Sequence, residues 1–148
     1  MLISTKGRYA LRILTDMAER ADDGFQPLGE LAQKQGISEK YLEGIMGTLV
    51  KHGLLEGSRG RQGGYRFKKP PEEITVCEVL ESTEGDLSAV SCAREDAAPC
   101  ERRDSCRSQP LWRGLDGLIR AYLNSYTLRD MASGAAAPEV EKILFKTS

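Results

Sequence analysis

Cys92, Cys100 and Cys106 fall within one short stretch, VSCAREDAAPCERRDSC, where charged residues outnumber apolar ones and Pro99 interrupts any regular element. Thiolates are soft donors suited to iron–sulfur clusters, zinc or copper(I). The Cys-x7-Cys-x5-Cys spacing is not the paired C-x2-C of a typical zinc site. Arg94, Arg102 and Arg103 share the stretch, and nearby cations favour thiolate over thiol. Incidental thiols in a loop are the plain alternative. Exposed cysteines oxidise readily, however, so three together argue for a cofactor or, between the two, a cofactor-free thiol switch. Cys77, in ITVCEVL, has the surroundings of an inert buried thiol. His52 is the sole histidine and lies beside Gly53, where helix capping or solvent exposure is expected rather than ligation.

A second group of residues suits a polyanion. In GSRGRQGGY, Arg59 and Arg61 stand among glycines, so both side-chain charge and bare backbone can approach phosphates. Some 20 residues earlier, Ser38, Glu39, Lys40, Tyr41 and Glu43 occupy the first turns of a helical pattern. Charge follows the same division. Met1 to Lys69 holds 12 Lys and Arg against 8 Asp and Glu, a net +4, whereas Pro70 to Ser148 holds 9 against 14, a net −5. Enzyme chemistry finds little support: there is one histidine, and no nucleophile–base pair, phosphate loop or dinucleotide fingerprint. No small-molecule substrate is therefore expected.

The elements that must carry these groups can be read from periodicity. KGRYALRILTDMAER has Ala10, Ile13, Leu14, Met17 and Ala18 at helical spacing. FQPLGELAQKQG predicts a short helix, with Pro27 in its first turn and Gly36 ending it. ISEKYLEGIMGTLVKHG begins at Ser38, a good N-cap, and repeats Leu42, Ile45, Met46, Leu49 and Val50 on one face. LLEGSRGRQGGYRFKK then offers two extended arms, 54–56 and 65–67, around a glycine-rich tip, the pattern of a β-hairpin. EITVCEVLESTEG is a further short helix ending at Gly85. SQPLWRGLDGLIRAYLNSYTLRDMA is the longest periodic segment, with Leu111, Trp112, Leu115, Leu118, Ile119, Tyr122, Leu123 and Tyr126 in a wide apolar stripe.

The expected architecture is mainly α: a winged helix-turn-helix with a small β-hairpin wing and a long C-terminal dimerisation helix. The expected division is a DNA-binding domain over 1–70, a short helix and cysteine-bearing loop over 71–107, the dimerisation helix over 108–131, and an Ala-rich tail over 132–148. The major groove admits one helix, and the helix after Ser38 would present its first turns to base edges. A three-helix scaffold that binds protein as an adaptor is the other reading. A steep loss of affinity with salt would mark DNA. No apolar run reaches the roughly 20 residues of a membrane span, and the N-terminus MLISTKGRYAL lacks a signal-peptide pattern. A cytoplasmic protein with no membrane partner is expected.

The pieces STKGRYALRIL, ISEKYLEGIMGTLVKHGLL, SRGRQGGYRF and LWRGL, in this order before and after three later cysteines, resemble one bacterial family. It is that of the winged-helix regulators that include the iron–sulfur regulator IscR, the nitric-oxide sensor NsrR and the cysteine-metabolism repressor CymR. The resemblance implies a homodimeric transcription factor on a palindromic double-stranded operator. It implies that Tyr41 and Glu43 read bases and that Arg59 enters the minor groove. Lys6, Arg8, Ser38, Lys40, Ser58, Arg61, Gly63, Gly64 and Tyr65 complete the expected DNA-contacting set. It also implies that Cys92, Cys100 and Cys106 hold an iron–sulfur cluster, [2Fe–2S] in the first instance and [4Fe–4S] as the alternative. IscR-like members carry a histidine ligand three residues after the last cysteine, and Gln109 stands there. NsrR-like members use an acidic residue of the partner's first helix, and the matching position is Arg8. CymR-like members lack the triad. The fourth ligand is thus left among Glu95, Asp96, Glu101, Asp104, a residue of the other subunit and an exogenous group.

Overall fold

A computed structural model describes residues 2–94 and 96–145. Three helices come first: α1 (Thr5–Glu19), α2 (Leu28–Gln35) and α3 (Glu39–Lys51). Their apolar stripes face one another, and Ile13, Leu14, Met17, Leu31, Leu42, Ile45, Met46 and Leu49 are all at most 1 % exposed. Each such side chain contributes about 1.5–3 kcal/mol on burial. Local signals set the helix ends. The hydroxyls of Ser4 and Ser38 accept from the backbone N–H groups of Gly7 and Tyr41. Gly36, at φ +66°, closes α2 in the left-handed conformation.

The chain then turns into β1 (Leu55–Ser58) and β2 (Gly64–Phe67), paired antiparallel from Leu55 opposite Phe67 to Ser58 opposite Gly64. Both arms differ slightly from the sequence expectation, because Leu54 is consumed in closing α3: its N–H bonds to the carbonyl of Leu49 at 3.0 Å. A third piece of backbone joins the hairpin. Gln26 and Tyr65 exchange N–H···O bonds of 2.8 and 2.9 Å. The Gln26 side chain, 3 % exposed, donates to the carbonyls of Met17 at 3.0 Å and Arg20 at 3.2 Å. One residue thereby ties the end of α1 to the hairpin.

Gly64 is needed at this junction. Its φ is +147°, and a Cβ there would collide with the Gln26 carbonyl. Gly64→Ala is expected to destabilise the fold by about 1–3 kcal/mol, read as a lower urea midpoint. An unchanged midpoint would show that the hairpin can leave Gln26 without cost.

After a 3₁₀ turn at Pro71–Glu73, α4 (Val76–Glu84) packs against α1, and Cys77, Leu80 and Leu87 form a second small core with Val76. The cysteine-bearing segment follows, and leads to α5 (Gln109–Asn124).

Here the structure corrects the expectation of one helix over 108–131. The helix stops at Asn124, and α6 (Leu128–Ala132) begins afresh. Thr127 and Asp130 form a reciprocal capping box at its start. Thr127 also bridges to Thr75, and Leu128 is fully buried in the main core. Arg129 bonds to Glu72 at 2.8 Å and to the Ala18 carbonyl at 3.0 Å, pinning α6 across the end of α1. The tail expected over 132–148 is also partly structured. It holds α7 (Val140–Leu144), which lies on α5, because Val140, Ile143 and Leu144 share an apolar hollow with Leu118, Ile119 and Tyr122. No helix among the described residues is long and apolar enough to cross a membrane.

Candidate nucleic-acid interface and cysteine site

The helix α3 and the hairpin enclose a groove of about 580 Å³. Pro27, Leu28, Glu43, Gly47 and Val50 line one side, and Ser58, Arg59, Arg61, Gly63, Gly64 and Tyr65 the other. The expected helix residue Glu43 and the expected wing residues therefore meet in a single concavity. Arg59 and Arg61 sit at the exposed tip, and neither forms a salt bridge among the described residues. Gly63 is required by the tip itself, because a Cβ there would strike the backbone of Ser58 and Arg59. Burial, and then the Glu43 carboxylate, push the Tyr65 phenol above its usual range; this phenol stays protonated at neutral pH and can donate.

The other expected DNA residues lie beside the groove rather than in it. Ser38 caps α3, and Lys40 is exposed in its first turn. Tyr41, 41 % exposed, rests edge-on against Tyr9 with ring centroids 6.1 Å apart. Arg12 in turn covers Tyr9 at 5.2 Å. On α1, Lys6 reaches across to the Thr48 hydroxyl of α3 at 2.9 Å, while exposed Arg8 bonds to Thr5 at 3.2 Å. Gln26 and Tyr9, which hold the wing and Tyr41, were not among the sequence candidates. Their partners are distant in sequence, and no local pattern marks them.

The cysteine segment builds a second hollow, of about 270 Å³. Cys92, Cys100, Cys106 and Gln109 line it together with Arg94, Arg103, Trp112 and Arg113. Cys92 and Cys100 are exposed, Cys106 half-buried, and all three thiols are free. Among the described residues, no three His, Cys, Asp or Glu side chains are gathered closely enough to hold a metal ion. Metal sites of this kind close when the metal binds. The donor set fits a cluster in chemistry and in sharing one cavity, although the sulfurs do not converge.

The Ser108 hydroxyl, 3.3 Å from the Cys106 sulfur, and the N–H groups of Ser108 and Gln109 hold the Cys106 thiol below its ordinary range. Of the carboxylates considered for a fourth ligand, Glu95 lies outside the described residues. Asp96 is engaged with Arg94 at 2.9 Å, and Glu101 and Asp104 are exposed. Gln109, at the position where the resemblance expects a ligand, lines the cavity, and Asp96, Glu101 and Asp104 do not.

The segment is anchored at its start, where the N–H of Ala89 donates to Asp116 of α5 at 2.8 Å. Cys77 is 1 % exposed in α4, and burial pushes its thiol up, as its sequence surroundings indicated. His52 caps α3 in solvent, with its ring nitrogen 2.9 Å from the Thr48 carbonyl.

Residues 3–134 match the family profile of Rrf2, an iron-dependent transcriptional regulator. The chain is 34 % identical over 140 residues to the HTH-type transcriptional regulator IscR of Photorhabdus laumondii, covering 95 % of this chain and 84 % of that one. The IscR of Escherichia coli O1:K1 is 33 % identical over 95 % of this chain and 85 % of its own length. Among solved structures, CymR, the global cysteine regulator of B. subtilis, superposes with a TM-score of 0.72 at 34 % identity, covering 92 % of this chain and 99 % of that one. T. potens IscR gives 0.69 at 32 % identity, over 92 % and 89 % of the two chains.

Proposed function

The chain belongs to the Rrf2 family of transcriptional regulators, and on that basis we propose that it is a homodimeric, sequence-specific DNA-binding regulator, working in the cytoplasm, whose activity follows an iron–sulfur cluster held by Cys92, Cys100 and Cys106. Its relatives are regulators rather than enzymes. The groove shared by α3 and the wing carries the DNA half of the reading. It brings the Glu43 carboxylate together with the guanidinium groups of Arg59 and Arg61, which form no salt bridge among the described residues. Cations at a glycine-rich tip take phosphates, and a carboxylate on the groove-facing helix discriminates among bases by accepting from cytosine N4. Two subunits related by a two-fold axis read an inverted repeat, with half-site centres about 34–36 Å apart or a multiple of that.

Arg59→Ala is expected to weaken binding and to lower the slope of log K against log salt by about one. Glu43→Ala should instead alter sequence preference with little change in slope. The measurement is a salt series on a duplex selected from random DNA. Equal affinity of wild type and Arg59→Ala throughout that series removes the wing from the interface.

For the sensing half, Cys92, Cys100 and Cys106 would supply the thiolates, with a carboxylate of the segment, a residue of the other subunit or an exogenous group at the fourth position. A neutral amide is a poor donor to ferric iron. Gln109→Ala should therefore retain the iron, and Gln109→His should hold it more firmly. A bound cluster supplies redox-sensitive and removable cross-links between the stretches of chain carrying the three cysteines. The cofactor-free thiol switch is the second reading, since Cys92, Cys100 and Cys106 line one hollow as free thiols. Iron and sulfide content after anaerobic reconstitution separates them: zinc without sulfide, or no metal and a reversible disulfide, defeats the cluster.

A further inference from the structure

The helix α4 ends at Glu84, and residues 85–88, with Leu87 buried, connect it to the cysteine segment at Ala89. The Glu84 side chain does not point along its own helix. Its Oε1 accepts from the N–H of Ser4 at 3.1 Å and from the Ser4 hydroxyl at 2.6 Å. Ser4 is the N-cap of α1, and the first turn of α1 contains no acidic residue. A carboxylate from another helix therefore supplies the negative charge that a helix N-terminus favours. Gly7, which is buried in that first turn, makes room for it: a Cβ at this position would collide with Oε1 and stand 3.2 Å from Cδ. The same turn carries Lys6, bonded to Thr48 of α3, and leads to exposed Arg8. Glu84 thus joins the foot of the cysteine segment to the basic start of α1.

We propose that Glu84 is a positioning residue for DNA binding, and the point at which the cysteine segment acts on the DNA-reading head. The inference rests on the DNA-binding and sensing readings given above. With Glu84 seated, the first turn of α1 is capped, and Lys6 is held against Thr48 of α3. Rearrangement beyond Gly85 withdraws the carboxylate, and that turn frays.

The test is a double-mutant cycle on the full chain, using a duplex selected by the wild-type protein from random DNA. Glu84→Ala is expected to weaken binding about ten-fold and to lower the salt slope by about one, as a lost phosphate contact does. Lys6→Ala should do the same, and the double variant should be no weaker than the weaker single. Gly7→Ala, which expels the carboxylate from the opposite side, should reproduce Glu84→Ala. Glu84→Gln keeps an acceptor oxygen and should recover most of the affinity. Additive losses, or full affinity in both Glu84→Ala and Gly7→Ala, overturn the positioning role.

The same duplex also tests the coupling. The ratio of affinities between iron-loaded and iron-free protein should fall towards one in Glu84→Ala at unchanged iron content. A wild-type ratio persisting in Glu84→Ala overturns the link. A wild-type ratio already at one, or no iron uptake, defeats the sensing reading and the link with it, while the cycle still decides the positioning role.

Discussion

Serine at any one of Cys92, Cys100 or Cys106 is expected to remove most of the iron and sulfide that the wild-type protein takes up on anaerobic reconstitution. The three thiols share one hollow of about 270 Å³, and a cluster normally requires four protein ligands. A site that starts with three thiolates has no reserve. Removing one leaves two soft donors and a cavity whose other polar groups are an amide and arginines, none of which substitutes for sulfur. Cys77→Ser is the internal control. That side chain is buried in α4 beneath Leu80 and Leu87, away from the hollow, so its substitution should leave iron content unchanged. It should cost about 1 kcal/mol of stability through placing a hydroxyl in an apolar setting. Iron and sulfide assays beside thermal melts of the four variants give the result. Full iron content in any of the three loop variants assigns that cysteine to another role.

Leu115→Asp is expected to raise the subunit dissociation constant by at least 100-fold and to abolish tight operator binding. The helix α5 runs for 16 residues without a single buried one. Leu111, Leu115 and Leu118 are 63 %, 38 % and 45 % exposed, and their spacing places them along one stripe. The other edge of α5 faces elements of its own chain, since Leu118, Ile119, Tyr122 and Leu123 share an apolar hollow with Leu80 of α4 and the apolar residues of α7, which leaves Leu111 and Leu115 as the part of the stripe clear of that hollow. In the proposed homodimer a second copy of this helix would cover the bare stripe, since a two-fold axis would set each leucine against the same stripe of its partner. Two leucines lost per dimer remove about 3–6 kcal/mol of burial, and a 100-fold change needs only about 2.7 kcal/mol. Two carboxylates near the axis add repulsion. Sedimentation at micromolar concentration reads the outcome. A Leu115→Asp protein that stays dimeric and binds operator normally would put the interface elsewhere.

Sequence periodicity revealed most of the frame, for reasons that are local. Ser38 and the apolar spacing after it defined α3, and the glycines around Arg59 and Arg61 announced the wing. These signals act over a few residues, and the tertiary structure merely uses them. The break at 125–126 was missed although its signal, Thr127 with Asp130, is present. Tyr122, Tyr126 and Met131 continue a helical apolar pattern across it, and the pairing with Thr75 that favours a stop comes from over 50 residues away.

The site was legible as two groups of residues but not as two cavities. Nothing near Cys100 indicates that Trp112 and Arg113 close the hollow, and nothing near Gln26 indicates that it holds the wing. Both depend on contacts made only after the chain has folded. Lys6 shows the converse: the family resemblance placed it among the DNA contacts, and the structure adds a bond to α3 that sequence spacing does not encode.

The double bond between Gln26 and Tyr65 also bears on how such a regulator could acquire new operators over evolutionary time. Because the wing is fastened by backbone to Gln26, whose side chain holds the end of α1, and Gly64 tolerates no side chain against that fastening, the offset between the helix and the wing tip is not free to drift. Insertions in the 21–26 connection would displace both at once. If the proposed DNA-reading roles hold, divergence in target choice would be channelled into exchanging side chains at positions such as Lys40, Glu43 and Arg61 on a fixed frame. Lineages of this architecture should differ in the letters that they read far more than in the distance between the places where they read them.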